Sequence, residues 1–155
     1  MRKAAFILSI VVISCLILCS CSKSKKKKDY APVNEGVGTM DIALYVTGDT
    51  QKVTVEFENR DDETWWHFGE YYELEIMIDG VWYYVPGEDY CVHDLAHVLA
   101  PGQRDSLTYS LTPFGKLDSG DYRIACGGLG DKTNNYYAYF HITDKNEFVG
   151  TTPTE

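Results

Sequence analysis

The chain has 155 residues, with 14 Lys and Arg against 23 Asp and Glu and a formal net charge of −9. From Thr39 to Glu155 the imbalance sharpens to 7 Lys/Arg against 21 Asp/Glu, a formal charge of −14. That length accommodates one ordinary domain and no second core, and so acidic a surface speaks against nucleic acid, whose phosphates need a basic patch.

The first element is Met1-Arg2-Lys3 followed by Ala4 to Cys19, an apolar run interrupted only by Ser9 and Ser14. At about 1.5 Å per residue this run falls short of the ~20 residues that cross a bilayer, so residues 1–20 read as a signal peptide. An uncleaved anchor and a soluble secreted product are the alternatives. Leu18-Cys19-Ser20-Cys21 resembles a bacterial lipobox, with Leu at minus three and a small residue at minus one. The resemblance implies a lipidated Cys21 carrying two acyl chains, since one chain alone holds a membrane only marginally. Cys19 would place bulky Leu18 at minus one, and Cys15 would leave too short an apolar core. Residues 21–38 then read as a Lys-rich tether. Lys23, Lys25, Lys26, Lys27 and Lys28 act either as a solvated, self-repelling spacer or as a second contact with anionic headgroups.

The domain is expected over residues 39–145, with 146–155 as a polar tail. Met40, Ile42, Leu44 and Val46 alternate with polar neighbours, as do Val53, Val55 and Phe57, and each set predicts a strand with one buried face. In Trp65-Trp66-His67-Phe68 the same alternation puts Trp66 and Phe68 on one face, Trp65 and His67 on the other. Tyr72, Leu74, Ile76 and Ile78 predict another strand with Glu73 and Glu75 facing out. Asp79-Gly80 predicts a hairpin into Val81 to Val85, because both residues tolerate positive φ. Tyr90 to Leu99 is ambiguous: Val92, Leu95, Ala96 and Leu99 have helical spacing, which leaves room for one short helical turn before the Pro101-Gly102 turn. Leu107 to Leu111, Tyr122 to Cys126 and Ala138 to Ile142 complete the set. The expectation is an all-β antiparallel sandwich of seven or eight strands.

"GKLDSGDYRI" resembles the tyrosine corner of immunoglobulin-like domains, in which a Tyr entering the penultimate strand bonds back to the upstream backbone. Together with "FGEYYELEIMIDGVWYYVP" and "LAHVLAPGQRDSLTYSL" in that order, it resembles the bacterial Ig-like domain of small lipoproteins, chiefly Gram-positive, across roughly Thr39 to Thr143. The antibody-type inter-sheet disulfide has no counterpart, because the second strand holds no Cys and Ile124 stands where the partner would be. Cys91 and Cys126 are the remaining thiols, and in an exported protein they either pair as a different staple or stay free.

No catalytic residue and no cofactor is expected. There is no G-x-S-x-G elbow, Cys126-Gly127-Gly128 is no nucleophile motif, and Cys91 with His93 lacks an orienting third group. His93 and His97 are four apart without the H-E-x-x-H pattern, and Asp61-Asp62-Glu63 and Glu88-Asp89 lack calcium-loop spacing, so no metal is expected. The candidate binding aromatics are Trp65, Trp66, Tyr71, Tyr83 and Tyr84, which would stack on a sugar or anchor a protein. The functional expectation is a lipid-anchored, extracytoplasmic binding or adhesion module at the bacterial surface, its partner a surface protein or a glycan. A carbohydrate-binding or envelope-assembly role is the alternative.

Overall fold

A computed structural model describes residues 30–33, 36–88, 95–127 and 135–151. Cys21, the tether lysines, Asp89, Cys91 and His93 lie outside the described residues. No helix among the described residues is long and apolar enough to cross a membrane.

Ten strands are present among them: β1 Ile42–Gly48, β2 Lys52–Asn59, β3 Trp66–Gly69, β4 Tyr72–Ile78, β5 Val81–Tyr84, β6 Ala96–Leu99, β7 Arg104–Ser110, β8 Gly120–Cys126, β9 Tyr136–Ile142 and β10 Phe148–Val149. They form a three-stranded sheet in the order β1-β2-β7, a five-stranded sheet in the order β10-β9-β8-β4-β5, and a two-stranded β3-β6 ladder. All the strand pairings are antiparallel. The core lies between the two larger sheets. Val53, Val55 and Phe57 of β2 face Leu74, Ile76, Ile124 and Phe140 from the opposite sheet within one buried cluster. Period-two alternation is what permits this, because every second side chain enters the core and the rest stay out of it.

The all-β sandwich expected from the sequence is present, with ten strands among the described residues against the seven or eight anticipated; β3, β6 and β10 are short ones. The first, β3, pairs with β6, which resolves the ambiguous stretch Tyr90 to Leu99 as strand over its described part. Residues 89–94 lie outside the described set, but Ala96–Leu99 is strand, and its burial alternates with a period of two: Leu99 is buried while Val98 is 49% exposed. Trp66, Phe68 and Leu99 carry this ladder into the same buried cluster as the two larger sheets. Trp66 and Phe68 stack at 4.3 Å and both meet the fully buried Phe57, at 5.3 and 5.1 Å. The third short strand, β10, falls in the segment read as polar tail. Its Phe148 stacks on Phe140 at 5.1 Å, and Thr151 O accepts from Val46 N–H at 2.8 Å, which ties the five-stranded sheet to β1.

The Asp79-Gly80 hairpin is as expected, with φ of 52° and 81° at the two turn residues, the geometry that matches right-handed strand twist. At the other terminus, residues read as tether add to the domain. Pro32 bridges Tyr83, with Tyr84 N–H donating to Ala31 O at 3.0 Å, so this segment covers the β5 edge. Proline suits such a position because it has no N–H to leave unpaired. Farther along, Val37 bridges Asn135 in parallel, and Gly38 passes under the Tyr136 ring so closely that a Cβ would come within 2.2 Å of it.

Candidate functional site

The two sheets differ on their outer faces. On β1-β2-β7 that face is wet and charged: Arg104 bridges Glu56 at 3.1 Å and Glu58 at 3.0 Å, and Thr54 and Thr108 share a hydroxyl contact at 2.9 Å. The Tyr45 hydroxyl and then Arg104 hold the Glu58 carboxyl down at about 2. Exposed pairs of this kind contribute little.

The outer face of the five-stranded sheet is organised as two rows of side chains set by register. In the first, Tyr84, Glu75, Arg123 and Tyr139 lie opposite one another across β5, β4, β8 and β9. Arg123 Nε contacts Glu75 Oε2 at 2.5 Å, and both side chains are almost inaccessible, 3% and 1%. The guanidinium lies 3.8 Å from the Tyr137 ring centroid and 4.2 Å from that of Trp82. Glu75 was expected to face out and be wet. It does face out, but it is buried with Arg123, whose guanidinium is covered by aromatic rings, because a planar, weakly hydrated guanidinium packs between π faces as an ammonium would not. The Tyr137 hydroxyl in turn donates to Gly36 O at 3.2 Å, so the N-terminal segment is fastened over the same face.

The second row runs beside the first. Trp82 pairs with Met77, Asp121 with His141, and His141 with Val149, so five side chains line a groove across all five strands. With Tyr139 from the first row they bound a volume of about 410 Å³. Trp82 and Tyr139 meet at 5.8 Å between centroids. Tyr139 and Val149 are about half exposed, at 46% and 51%. At the rim, His141 Nδ1 and Asp121 Oδ1 are 2.8 Å apart and open to solvent. The groove therefore has an aromatic and apolar floor with one exposed hydrogen-bonding pair at its side.

The aromatics singled out from the sequence are dispersed. Trp66 is buried in the core. Tyr83 pairs with Ile76 on the inner side of β5 and packs against the core. Tyr84 is half-buried on the outer face, Tyr71 is exposed and donates to Glu73 at 2.8 Å, and Trp65 is 58% exposed just before β3. They make no common platform. Trp82, Tyr137 and Tyr139, which do gather, belong to two strands more than fifty residues apart. The signal available was Tyr137-Ala-Tyr139-Phe-His141, a strand with no clearly polar face, which implies that something is packed on both of its sides.

The remaining candidates have local structural roles. Asp61 Oδ1 accepts from the backbone N–H groups of Glu63 and Thr64 at 3.2 and 3.0 Å, and these bonds lower its pKa as in an ordinary turn cap. His97 sits on a strand, stacks on Phe68 and contacts Glu70 Oε1 at 3.1 Å. Among the described residues no group of three or more His, Cys, Asp or Glu side chains is placed to hold a metal.

Cys126 is a buried free thiol that donates to Tyr136 O at 3.5 Å. The buried Tyr109 hydroxyl lies against this sulfur without a well-aligned bond. Burial pushes the thiol pKa up to about 12. Because the thiolate is the nucleophile, iodoacetamide at neutral pH should leave Cys126 unmodified in the folded chain and alkylate it in denaturant. Rapid alkylation of the native protein, read by peptide mass spectrometry, would contradict its placement.

A family model described as the bacterial Ig-like domain matches residues 39–141. No curated protein and no solved structure matches the chain.

Proposed function

We propose that this chain, which belongs to the bacterial Ig-like domain family, is a lipid-anchored binding module held at the extracytoplasmic face of the bacterial membrane. The observation that supports binding is the outer face of the five-stranded sheet. A sheet face with no duty but solubility carries scattered charges, as β1-β2-β7 does, whereas this one carries aromatics around a sequestered ion pair and leaves a groove open. Fold alone names no ligand and no reaction, and the reading is non-catalytic.

Anchoring rests on Leu18-Cys19-Ser20-Cys21. The span from lipidated Cys21 to Tyr30 is Ser22 to Asp29, eight residues, which reach at most about 28 Å when fully extended. The docking of Ala31 and Pro32 on β5 supports this short reach. An acidic domain held so near anionic headgroups is repelled by them, and Lys23, Lys25, Lys26, Lys27 and Lys28 lie where they offset that repulsion.

Metabolic labelling with an alkynyl fatty acid should mark the wild-type chain and fail to mark Cys21→Ala, which should also leave the membrane fraction. Label retained at wild-type level in Cys21→Ala would refute lipidation at that residue.

A further inference from the structure

We infer that the groove formed by Trp82, Met77, Asp121, Tyr139, His141 and Val149 is a binding site for an uncharged sugar ring, stacked on Trp82 and Tyr139 and hydrogen-bonded by Asp121 and His141. The inference rests on the reading of this chain as a binding module and names the ligand class for it.

The chemistry of the floor comes first. Trp82, Tyr139, Met77 and Val149 present π faces and apolar surface; Tyr139 and Val149 are about half exposed, Trp82 and Met77 are partly buried, and no described element fills the groove. A ligand that gains from this floor must offer an apolar face of similar breadth, and a volume of about 410 Å³ lies in the lower part of the range for small-molecule sites, about 300–1,000 Å³. Charge then narrows the class from both sides. An aromatic floor would suit an organic cation, but Arg123 already stands 4.2 Å from the Trp82 ring centroid and 6.0 Å from that of Tyr139. A second cation on those rings would meet that guanidinium across them. An anion fares no better, since the Asp121 carboxylate stands at the rim of a domain with a formal charge of −14.

The rim supplies the polar half. His141 and Asp121 are 46% and 70% exposed at the side chain, so each keeps hydrogen-bonding capacity beyond their 2.8 Å contact. The carboxylate accepts from hydroxyl groups, and the second ring nitrogen of His141 donates or accepts according to tautomer. A pyranose joins these demands in one molecule, with C–H groups on one face and hydroxyls around its edge. Arg123 packs against the Trp82 ring at 4.2 Å, and register fixes the backbone positions from which the other five side chains enter the groove.

Calorimetric titration of the full chain tests the inference, in a detergent without a sugar headgroup so that no micelle competes. The ligands are the methyl glycosides of glucose, galactose and mannose, N-acetylglucosamine, glucuronic acid and choline. At least one neutral sugar should saturate with a Kd of about 1 mM or tighter, the range expected of a single shallow contact. Glucuronic acid and choline should not saturate. Tyr139→Ala and Asp121→Asn, both solvent-facing changes, should weaken the neutral sugar about tenfold or more, a loss of about 1.4 kcal/mol each, while Trp65→Ala should bind as wild type. No saturation by any neutral sugar, tighter binding of choline or glucuronic acid, or full affinity in Tyr139→Ala and Asp121→Asn would each overturn the inference. Capture of cell-envelope material by the same chain, lost in Tyr139→Ala, separates the two readings. If that capture occurs without sugar binding, the module stands and the ligand class falls; if neither occurs, both fall.

Discussion

Arg123→Ala should lower the stability of the domain by about 3–5 kcal/mol, the cost of removing one member of a buried ion pair. Its side chain is 3% exposed and that of Glu75 1%, so the substitution leaves a buried carboxylate without the guanidinium it pairs with. Lost packing adds to the effect, since the guanidinium fills the space between Trp82 and Tyr137. The pair itself is a different matter: replacing both charges by apolar groups of similar volume is often neutral or stabilising. The double variant Arg123→Met with Glu75→Met should therefore recover most of what Arg123→Ala loses. Urea denaturation followed by tryptophan fluorescence measures all three proteins. An Arg123→Ala variant within about 0.5 kcal/mol of wild type would mean that water reaches Glu75 after all, in the range of an ordinary surface change.

The same pair shows why the sandwich was legible in the sequence and the site was not. Alternation assigns a residue to a face, and at Val53, Val55 and Phe57, or Tyr72, Leu74 and Ile76, the apolar face had to be the buried one. The turn at Asp79-Gly80 was legible for a local reason, positive φ at two adjacent residues. Glu75 was correctly placed on the outer face, but alternation says nothing of what covers that face. The cover is the Arg123 guanidinium with Trp82 and Tyr137 on it, brought together only by the pairings of β4 with β5 and β8 and of β8 with β9. The short strands failed differently. Leu95, Ala96 and Leu99 mimic a helical period over too few residues to discriminate, and β6 is strand because Trp66 to Gly69 pairs with it. Phe148, a lone aromatic in a polar stretch, carried no periodicity at all, yet its ring completes the Tyr122, Phe140, Phe148 stack.

Tyr122 is where sequence and structure agree most specifically, and the second large effect is expected there. Its hydroxyl donates to Asp118 O at 2.8 Å, four residues upstream, which closes the corner that "GKLDSGDYRI" led us to expect. The ring is 2% exposed and stacks on Phe140 at 5.5 Å and 16°. Tyr122→Ala removes both roles and opens a cavity, so it should cost about 3–5 kcal/mol; Tyr122→Phe keeps the ring and leaves the Asp118 carbonyl short of a donor, for about 1–3 kcal/mol. Lys52→Ala, on the wet side of β2, should stay within about 0.5 kcal/mol of wild type. A second readout separates the bond from the packing. Burial raises the Tyr122 pKa above its ordinary 10.0, so above that pH the unfolded chain loses this proton while the folded chain keeps it. The unfolded state then binds fewer protons, and stability falls as pH rises beyond 10. The fall should be shallower in Tyr122→Phe, since Tyr72, Tyr109 and Tyr136, also raised by burial, supply the rest. Equal stability of Tyr122→Phe and wild type at neutral pH, with the same alkaline slope, would mean that the corner bond contributes nothing and that the ring is held by its packing in the core.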